Sequence, residues 1–245
     1  MIEFFIALKF HRELNDFLPR SKNKRYRVKV AGHQTLKDIF ESEGVPHPEV
    51  DIILVNGKSS RFNRNPRPGS FIELYPSGIF YQAQVRHLLP SPMKRPKFFL
   101  DEHLGKLTRS LRMCGIDAKL FKGKSDKELV QIALLDKRII LTRDIGLLKR
   151  SAVRRGYWVR NEDPDRQLEE IIDHFSLKEH IRPFYRCMQC NGIIRKTGKK
   201  NVYDLLPAKT RLYFEEYFRC RSCGKIYRKG SHYEKMKSRL AALLK

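Results

Sequence analysis

Four cysteines arranged as two C-x-x-C pairs constrain this chain more than any other feature of its sequence. Cys187 and Cys190 form the first pair, Cys220 and Cys223 form the second, and 29 residues separate the two pairs. Four thiolates presented in this way bind zinc tetrahedrally and leave no open position for catalysis. We therefore expect a zinc ribbon with a structural zinc ion. Metal binding at such a site supplies on the order of 10 kcal/mol of folding free energy, enough to order a module with little core.

The remaining cysteine usage and the hydropathy argue against a secreted or membrane protein. Cys114 falls on the apolar side of a predicted helix and is expected to be a buried free thiol. Five cysteines in 245 residues do not make a disulfide scaffold, so we expect a reducing, cytoplasmic location. The sequence has no run of 18 apolar residues, no lipidation motif and no secretory signal at its start, and we expect no membrane contact.

The net charge of the chain indicates what kind of partner it binds. Lys and Arg number 51 against 27 Asp and Glu, which gives a net charge of +24. Residues 178–245 hold 18 basic and 5 acidic side chains, a local charge of +13. A field of this sign attracts polyanions, and among nucleic acid, acidic lipid and ribosomal surface we favour nucleic acid. A surface that is basic only for solubility explains single lysines better than it explains this C-terminal excess.

Periodicity and composition predict an α/β protein with three domains. Residues 1–80 show the order strand-strand-helix-strand-strand of a ubiquitin-like β-grasp domain, and residues 81–96, with three prolines, form a predicted linker. Residues 97–180 alternate strands and helices, which predicts a parallel sheet covered by helices. Residues 181–245 contain the predicted zinc ribbon and a basic C-terminal helix.

The N-terminal domain resembles the sulfur-carrier branch of ubiquitin-like proteins, especially at Val55-Asn56-Gly57. Its helix is expected over residues 36–43, with Thr35 as the N-cap. The carriers that it resembles act through a C-terminal Gly-Gly tail, whereas this chain continues through Ser77-Gly78-Ile79. Carrier chemistry is therefore excluded, and docking to a protein partner or a scaffold role remains.

Three aspartates in the α/β segment are candidates for catalysis. Asp101 directly follows the first predicted strand, Asp144 follows the third, and Asp126 stands in the first turn of a helix beside a strand end. Binding chemistry in parallel sheets gathers at the carboxyl ends of the strands. Carboxylates packed together repel one another, and Mg²⁺ or Mn²⁺ removes that conflict. Such ions activate water and stabilise the leaving oxygen of a phosphodiester.

Each aspartate also fits a purely structural role, because aspartate commonly caps helices and follows strands. The equivalent positions of Asp101 and Asp144 in a basic protein favour catalysis for the pair. Asp163 follows the fourth predicted strand, where it fits either an ordinary N-cap or a fourth acidic ligand.

Basic side chains near these acids are predicted to contact RNA. Arg109, Arg112 and Arg143 are close in sequence to the aspartates, where guanidinium groups suit phosphates, although surface salt bridges fit them equally well. Lys229 and His232 follow the last cysteine pair, in a stretch where aromatic and basic residues alternate as a stacking surface needs. A packing or capping role fits His232 at least as well.

The order of these motifs resembles the Mut-seven C-terminal ribonuclease domain family, a PIN-like nuclease branch with an appended zinc ribbon. The matching residues are Phe99-Leu100-Asp101, the stretch from Leu104 to Gly115, Ser125-Asp126, Leu141-Thr142-Arg143-Asp144, the two cysteine pairs and Gly230-Ser231-His232. The resemblance covers about 97 to 236. It implies RNA as the substrate, Asp101, Asp126 and Asp144 as nuclease metal ligands, and a β-grasp domain at the N-terminus.

These observations predict a metal-dependent ribonuclease whose zinc ribbon aids the binding of RNA, such as tRNA or ribosome-associated RNA. The alternative is a non-catalytic RNA- or ribosome-binding protein that keeps the PIN-like fold. A phosphoacceptor switch is disfavoured, because such domains need a lysine after a late strand and Val159-Arg160 offers none.

Overall fold

The computed structural model describes residues 3–78, 85–123 and 125–243, apart from the side chain of Lys209. The chain forms two compact units, of which the first comprises Met1–Pro92 with Ser125–Trp158 and the second comprises Met93–Lys124 with Val159–Lys245. Residues 81–84 of the predicted linker lie outside the described residues. Within the described ranges, no helix is both long and apolar enough to cross a bilayer.

The first unit begins with a mixed five-stranded sheet and one α-helix. The strands are β1 (Glu3–Phe10), β2 (Tyr26–Ala31), β3 (Ile52–Val55), β4 (Lys58–Ser59) and β5 (Phe71–Tyr75), in the order β2-β1-β5-β3-β4. The central strands β1 and β5 are parallel, and the other neighbours are antiparallel. Helix α1 (Leu36–Ser42) begins after Thr35, whose side chain accepts a hydrogen bond from the Asp38 N–H. This topology confirms the β-grasp prediction.

The core of the β-grasp domain forms between the helix and one face of the sheet. Leu36, Ile39 and Phe40 on α1 pack in one buried cluster with Ile6 and Leu8, which point to the same face of β1. Each fully buried side chain of this kind contributes about 1.5–3 kcal/mol relative to an exposed one.

The remainder of the first unit is a short α/β stretch. It contains α3 (Asp126–Leu135), β8 (Ile139–Thr142), α4 (Ile145–Leu148) and β9 (Gly156–Trp158), and the elements that precede α3 in the α/β domain belong to the second unit. Strands β8 and β9 are parallel. The Ser125 side chain caps α3 by accepting a hydrogen bond from the Glu128 N–H.

Hydrogen bonds join this stretch to the β-grasp domain inside the first unit. Buried His47 places its Nε2 2.7 Å from the Val153 carbonyl oxygen and its Nδ1 2.7 Å from a carboxylate oxygen of Glu41. The backbone N–H of Trp158 donates to Glu49 at 2.6 Å. The first unit is thus one packed body rather than a free β-grasp domain with an attached segment.

The second unit begins with the other parallel strand pair of the α/β domain. Strand β6 (Lys97–Leu100) pairs with β7 (Asp117–Leu120), and helices α2 (Gly105–Met113) and α5 (Pro164–His174) belong to the same unit. Gly115 ends α2 with a φ of +83°, and a Cβ there would collide with the backbone of Arg182. Parallel strands alternating with helices confirm the predicted α/β domain.

The C-terminal part of the second unit is a small antiparallel sheet followed by a helix. The elements are β10 (Ile194–Thr197), α6 (Ala208–Tyr213), β11 (Tyr217–Cys220), β12 (Ile226–Arg228) and α7 (Ser231–Leu243), with the sheet order β10-β11-β12. The first cysteine pair precedes β10, and the second lies at the end of β11 and in the turn before β12, as the zinc-ribbon prediction requires. The final residues of the predicted C-terminal helix, 244 and 245, lie outside the described residues.

Candidate metal centre and nucleic-acid interface

Four cysteine sulfurs meet in the second unit. The Sγ atoms of Cys187, Cys190, Cys220 and Cys223 all lie within 4.8 Å of one another. The Sγ atoms of Cys187 and Cys223 are 3.7 Å apart, and those of Cys190 and Cys220 are 3.4 Å apart. Zn–S bonds of about 2.3 Å in a tetrahedron place the sulfurs about 3.8 Å apart, so the donor set fits zinc. Among the described residues, this is the one group of three or more His, Cys, Asp or Glu with ligand atoms so close.

The backbone folds tightly around both cysteine pairs. The N–H of Cys187 donates to the carbonyl of Gly192, and the N–H of Cys220 donates to the carbonyl of Lys225. Gly192 has no room for a side chain, because a Cβ there would collide with the side chains of Ser222 and Cys220. The glycine after the first cysteine pair is therefore required by close packing against the second pair.

The electrostatics of the cluster also fit a metal ion. Burial disfavours the Cys187 thiolate, but the Tyr227 hydroxyl 3.0 Å from its Sγ and nearby backbone N–H groups lower the pKa of Cys187 to about 6. Burial, together with hydrogen bonds from neighbouring sulfurs, raises the pKa of Cys190 to about 12. Four sulfurs this close do not all ionise without a cation, and a zinc ion would supply the missing positive charge.

A buried arginine fastens the first cysteine pair to the α/β domain within the second unit. Arg112 is 7% exposed, and its guanidinium donates to three backbone carbonyls: Ala118 at 2.7 Å, Met188 at 3.0 Å and Gln189 at 2.9 Å. Asn191 adds a bond by accepting from the Ala118 N–H at 3.1 Å. Arg112 therefore has a structural role here, and its contact with RNA stays a prediction.

Two of the predicted catalytic aspartates follow the carboxyl ends of parallel strands. Asp101 comes directly after β6, and its carboxylate accepts a hydrogen bond from the His103 N–H at 3.0 Å. Asp144 comes two residues after β8, and its carboxylate accepts from the Gly146 N–H at 2.7 Å. Asp101 thus caps the short 3-10 helix Glu102–Leu104, and Asp144 caps α4. Arg143 lies directly before Asp144. Metal ligation by the pair stays a prediction.

The other two acids also have partners. Asp126 lies in the first turn of α3, and one of its carboxylate oxygens accepts from Nε and a terminal nitrogen of Arg150, at 3.3 and 3.0 Å. A cation bound by Asp126 would have to replace this exposed arginine. Asp163 is the N-cap of α5 and accepts from the N–H groups of Asp165 and Arg166, both at 3.0 Å.

Two cavities of the second unit collect most of the basic residues that the sequence predicts as RNA contacts. Arg109, Arg112 and His232 line a cavity of about 540 Å³. Lys229 and His232 line a larger groove of about 820 Å³. His232 is exposed at the start of α7 and lines both. Arg143 belongs to the first unit.

The family model described as the Mut7-C RNAse domain matches residues 96–240, which is more than half of the chain. The chain belongs to the Mut7-C RNase family. A second model, described as Mut7-C ubiquitin, matches residues 4–80 of this Mut7-C protein. Both matches confirm the resemblance seen in the sequence. The Mut7-C RNase domain indicates a nuclease or RNA-related function with RNA as substrate, and the ubiquitin-like domain indicates interaction with a protein.

Two solved structures are similar to part of the Mut7-C chain. Two structures of small archaeal modifier protein 1 from Haloferax volcanii align with 30% of the chain, at 17% and 19% sequence identity. The alignments cover 97% and 98% of the modifier chains, each with a TM-score of 0.24. None of the curated proteins compared with the chain matches it.

Two features of the Mut7-C ribbon are not predicted by the sequence patterns described above. One is the anchoring of the first cysteine pair by Arg112 and Asn191, which no local pattern predicts. The other is the aromatic floor of the larger groove, where Phe218 lies beside Tyr227. Phe218 stands two residues before Cys220, and the two-residue period of a strand places both on the same face. That spacing could have identified Phe218.

Proposed function

We propose that the protein is a metal-dependent ribonuclease that hydrolyses RNA phosphodiester bonds, with Mg²⁺ or Mn²⁺ held by Asp101, Asp126 and Asp144. The match of the Mut7-C RNAse domain over residues 96–240 carries this proposal. The positions of Asp101 and Asp144 after β6 and β8 support it, because catalytic groups of parallel α/β folds collect at such strand ends.

Side chains of this protein can provide the metal ligands and the phosphate contacts that this reaction requires. Carboxylate oxygens are the ligands that Mg²⁺ and Mn²⁺ prefer, and the bound metal would supply water activation and charge stabilisation. The helix caps fix the Asp101 and Asp144 side chains in place before any ligand binds. Arg109 and Arg143 offer guanidinium groups to the phosphates of the substrate.

The other domains have supporting roles in the proposal. Zinc is structural, because four thiolate ligands leave no position for substrate. The ribbon aids binding of RNA, such as tRNA or ribosome-associated RNA, through Lys229 and His232, and the β-grasp domain of residues 1–80 docks a protein partner. Residues 97–180 form the nuclease domain, 81–96 the linker and 181–245 the ribbon with its helix, and the protein acts in the cytoplasm.

The test distinguishes the negative charge of each aspartate from its role as a helix N-cap. Asparagine is as good an N-cap as aspartate, so Asp101→Asn and Asp144→Asn keep the local fold but remove the negative charge. Both variants should lower Mg²⁺- or Mn²⁺-dependent cleavage of RNA by about 10²-fold or more while RNA binding survives. Asp173→Asn, on the exposed face of α5, is the matched control and should cleave like the wild type. Equal cleavage by all four proteins would refute the catalytic assignment.

The second candidate is a non-catalytic RNA- or ribosome-binding protein. One observation favours it: Asp101, Asp126 and Asp144 each have a partner, in two helix caps and an ion pair. This candidate predicts tight binding that falls about 10³-fold or more between 50 and 200 mM salt, with ~6–10 phosphate contacts. Wild-type protein free of contaminating nuclease would then bind RNA without cutting it in Mg²⁺ or Mn²⁺.

A further inference from the structure

The zinc-ribbon sheet has one covered face and one open face. Tyr217 on β11 is buried on the covered face, where it packs with Val202 and Leu206 from the loop between β10 and β11. Its hydroxyl donates to the Thr210 carbonyl at 2.8 Å. The inserted loop therefore supplies the apolar layer on that side, and the other side of the sheet is left to form the floor of the 820 Å³ groove.

Aromatic and basic side chains share the open face. Lys196, Phe218 and Tyr227 are direct neighbours across β10, β11 and β12, so their side chains point to the same face. Lys225 and Lys229 stand two residues before and after Tyr227 and line the same groove. Phe218 and Tyr227 are half-buried, whereas the three lysines are exposed. We name this set of five residues the ribbon platform.

Cations lie close to the rings of the platform. The Lys229 ammonium is 5.6 Å from the Phe218 ring centre, and the Lys225 ammonium is 5.9 Å from that of Tyr227. Glu216 holds Lys196 and Lys229 by accepting hydrogen bonds at 2.7 and 2.8 Å. These two bonds lower the pKa of Glu216 to about 2, so its carboxylate positions both lysines at neutral pH.

The groove as a whole is complementary to an anion. Its lining contains, among the described residues, seven Lys and Arg side chains and no Asp or Glu. Tyr185 extends the aromatic surface at one wall, with the Arg195 guanidinium 5.1 Å from its ring centre. Aromatic rings beside cations on an open sheet are how single-stranded nucleic acid is bound, with bases on the rings and phosphates on the cations.

We propose that the ribbon platform binds unpaired RNA, with bases stacked on Phe218 and Tyr227 and phosphates on Lys196, Lys225 and Lys229. This inference rests on the proposed function for the choice of RNA and deepens it by making the substrate single-stranded. A duplex gains nothing from the two rings, because its bases are already stacked on each other. Stacking accepts any base, so the platform selects unpaired RNA without reading its sequence.

The test measures binding by fluorescence anisotropy with the full-length, zinc-loaded protein and no added divalent cation. The probes are an unstructured 12-nucleotide RNA, the same RNA annealed to its complement, and the DNA strand of the same sequence. Phe218→Leu keeps apolar bulk but removes the ring, and it should weaken binding of the single strand by about 5-fold to about 100-fold. Its affinity for the duplex should stay the same.

Matched controls use other positions of the same ribbon. Tyr213→Leu removes an aromatic ring that is 78% exposed and lies outside the groove, and it should bind like the wild type. Lys196→Gln should lower the slope of log affinity against log salt by about 0.7, the loss of one phosphate contact with a single strand. Lys200→Gln, an exposed lysine outside the groove, should leave this slope unchanged. Equal zinc content in all variants shows that the ribbon is intact.

The outcomes separate this inference from the proposed function. Loss of single-strand binding in Phe218→Leu, with Tyr213→Leu unaffected, supports the platform whether or not the protein cleaves RNA. Wild-type affinity in zinc-loaded Phe218→Leu, or equal weakening for single strand and duplex, overturns the platform even if cleavage depends on Asp144. Equal binding of the DNA strand supports the stacking chemistry and overturns the choice of RNA as the selected ligand.

Discussion

Replacing Arg112 by methionine tests how the zinc ribbon is fastened to the α/β domain. The guanidinium donates to the carbonyls of Ala118, Met188 and Gln189, and the last two belong to the first cysteine pair. Methionine fills much of the volume of the arginine stem but donates no hydrogen bond. The substitution therefore removes three charged hydrogen bonds at once and leaves three carbonyls without this donor.

The expected loss of stability follows from these contacts. A hydrogen bond to a charged group contributes about 1.5–3 kcal/mol, so three would sum to about 4.5–9 kcal/mol. The desolvation of the buried guanidinium, which lowers the pKa of Arg112, opposes part of this gain. We expect a net loss of about 3–5 kcal/mol, or a fall in Tm of roughly 6–20 °C for a protein of this size.

Thermal unfolding, together with the rate at which a chromogenic chelator removes zinc, measures this prediction. Arg112→Met should unfold at a lower temperature and lose zinc faster, because the backbone of the first cysteine pair is no longer held. Arg109→Met, an exposed position on the same helix, is the control and should behave like the wild type. If each of the two variants lowers the free energy of unfolding by less than about 1 kcal/mol, Arg112 does not anchor the ribbon.

Three further changes probe other parts of the structure. Cys220→Ser should abolish zinc binding measured by metal analysis and unfold the ribbon, seen by loss of amide protection in residues 194–228, while the first unit keeps its protection. Burial raises the pKa of Cys114 to about 12, so the unfolded chain ionises this thiol at a lower pH than the folded protein does. The contribution of the buried thiol to the free energy of unfolding is therefore complete below about pH 9 and is lost as the pH rises toward about 12. Cys114→Ala should flatten the fall in urea stability over that range, and an unchanged fall would contradict this. His47→Ala should cost about 1–3 kcal/mol in thermal unfolding because the Val153 carbonyl loses its partner, whereas exposed His33→Ala should cost nothing measurable.

Much of the fold can be predicted from short-range patterns in the sequence. Thr35 caps α1 as predicted, and Ser125 caps α3 in the same local way, because a capping side chain and its helix are neighbours in sequence. The period of two in β1 and the apolar stripe of α1 identify the β-grasp core in the same way. The two C-x-x-C pairs predict that the four cysteine sulfurs lie close together, because binding one zinc ion requires it.

Other features depend on contacts between distant residues, which no local pattern encodes. Arg112 looks like a surface arginine on its helix, but it is buried because the cysteine pair 76 and 77 residues away supplies its acceptors. The ion pair of Asp126 with Arg150 and the packing of His47 on Val153 arise in the same way. The short helices α4 and α6, of four and six residues, carry too few periodic positions to be recognised.

The binding of a divalent cation by Asp101, Asp126 and Asp144 is the central proposal, and Mn²⁺ soaked into crystals of the zinc-loaded protein tests it most directly. We expect an anomalous Mn²⁺ peak with carboxylate oxygens of all three aspartates as ligands, and release of Asp126 from Arg150. Crystals at millimolar Mn²⁺ that show no peak at these side chains, with Asp126 still bound to Arg150, would contradict it.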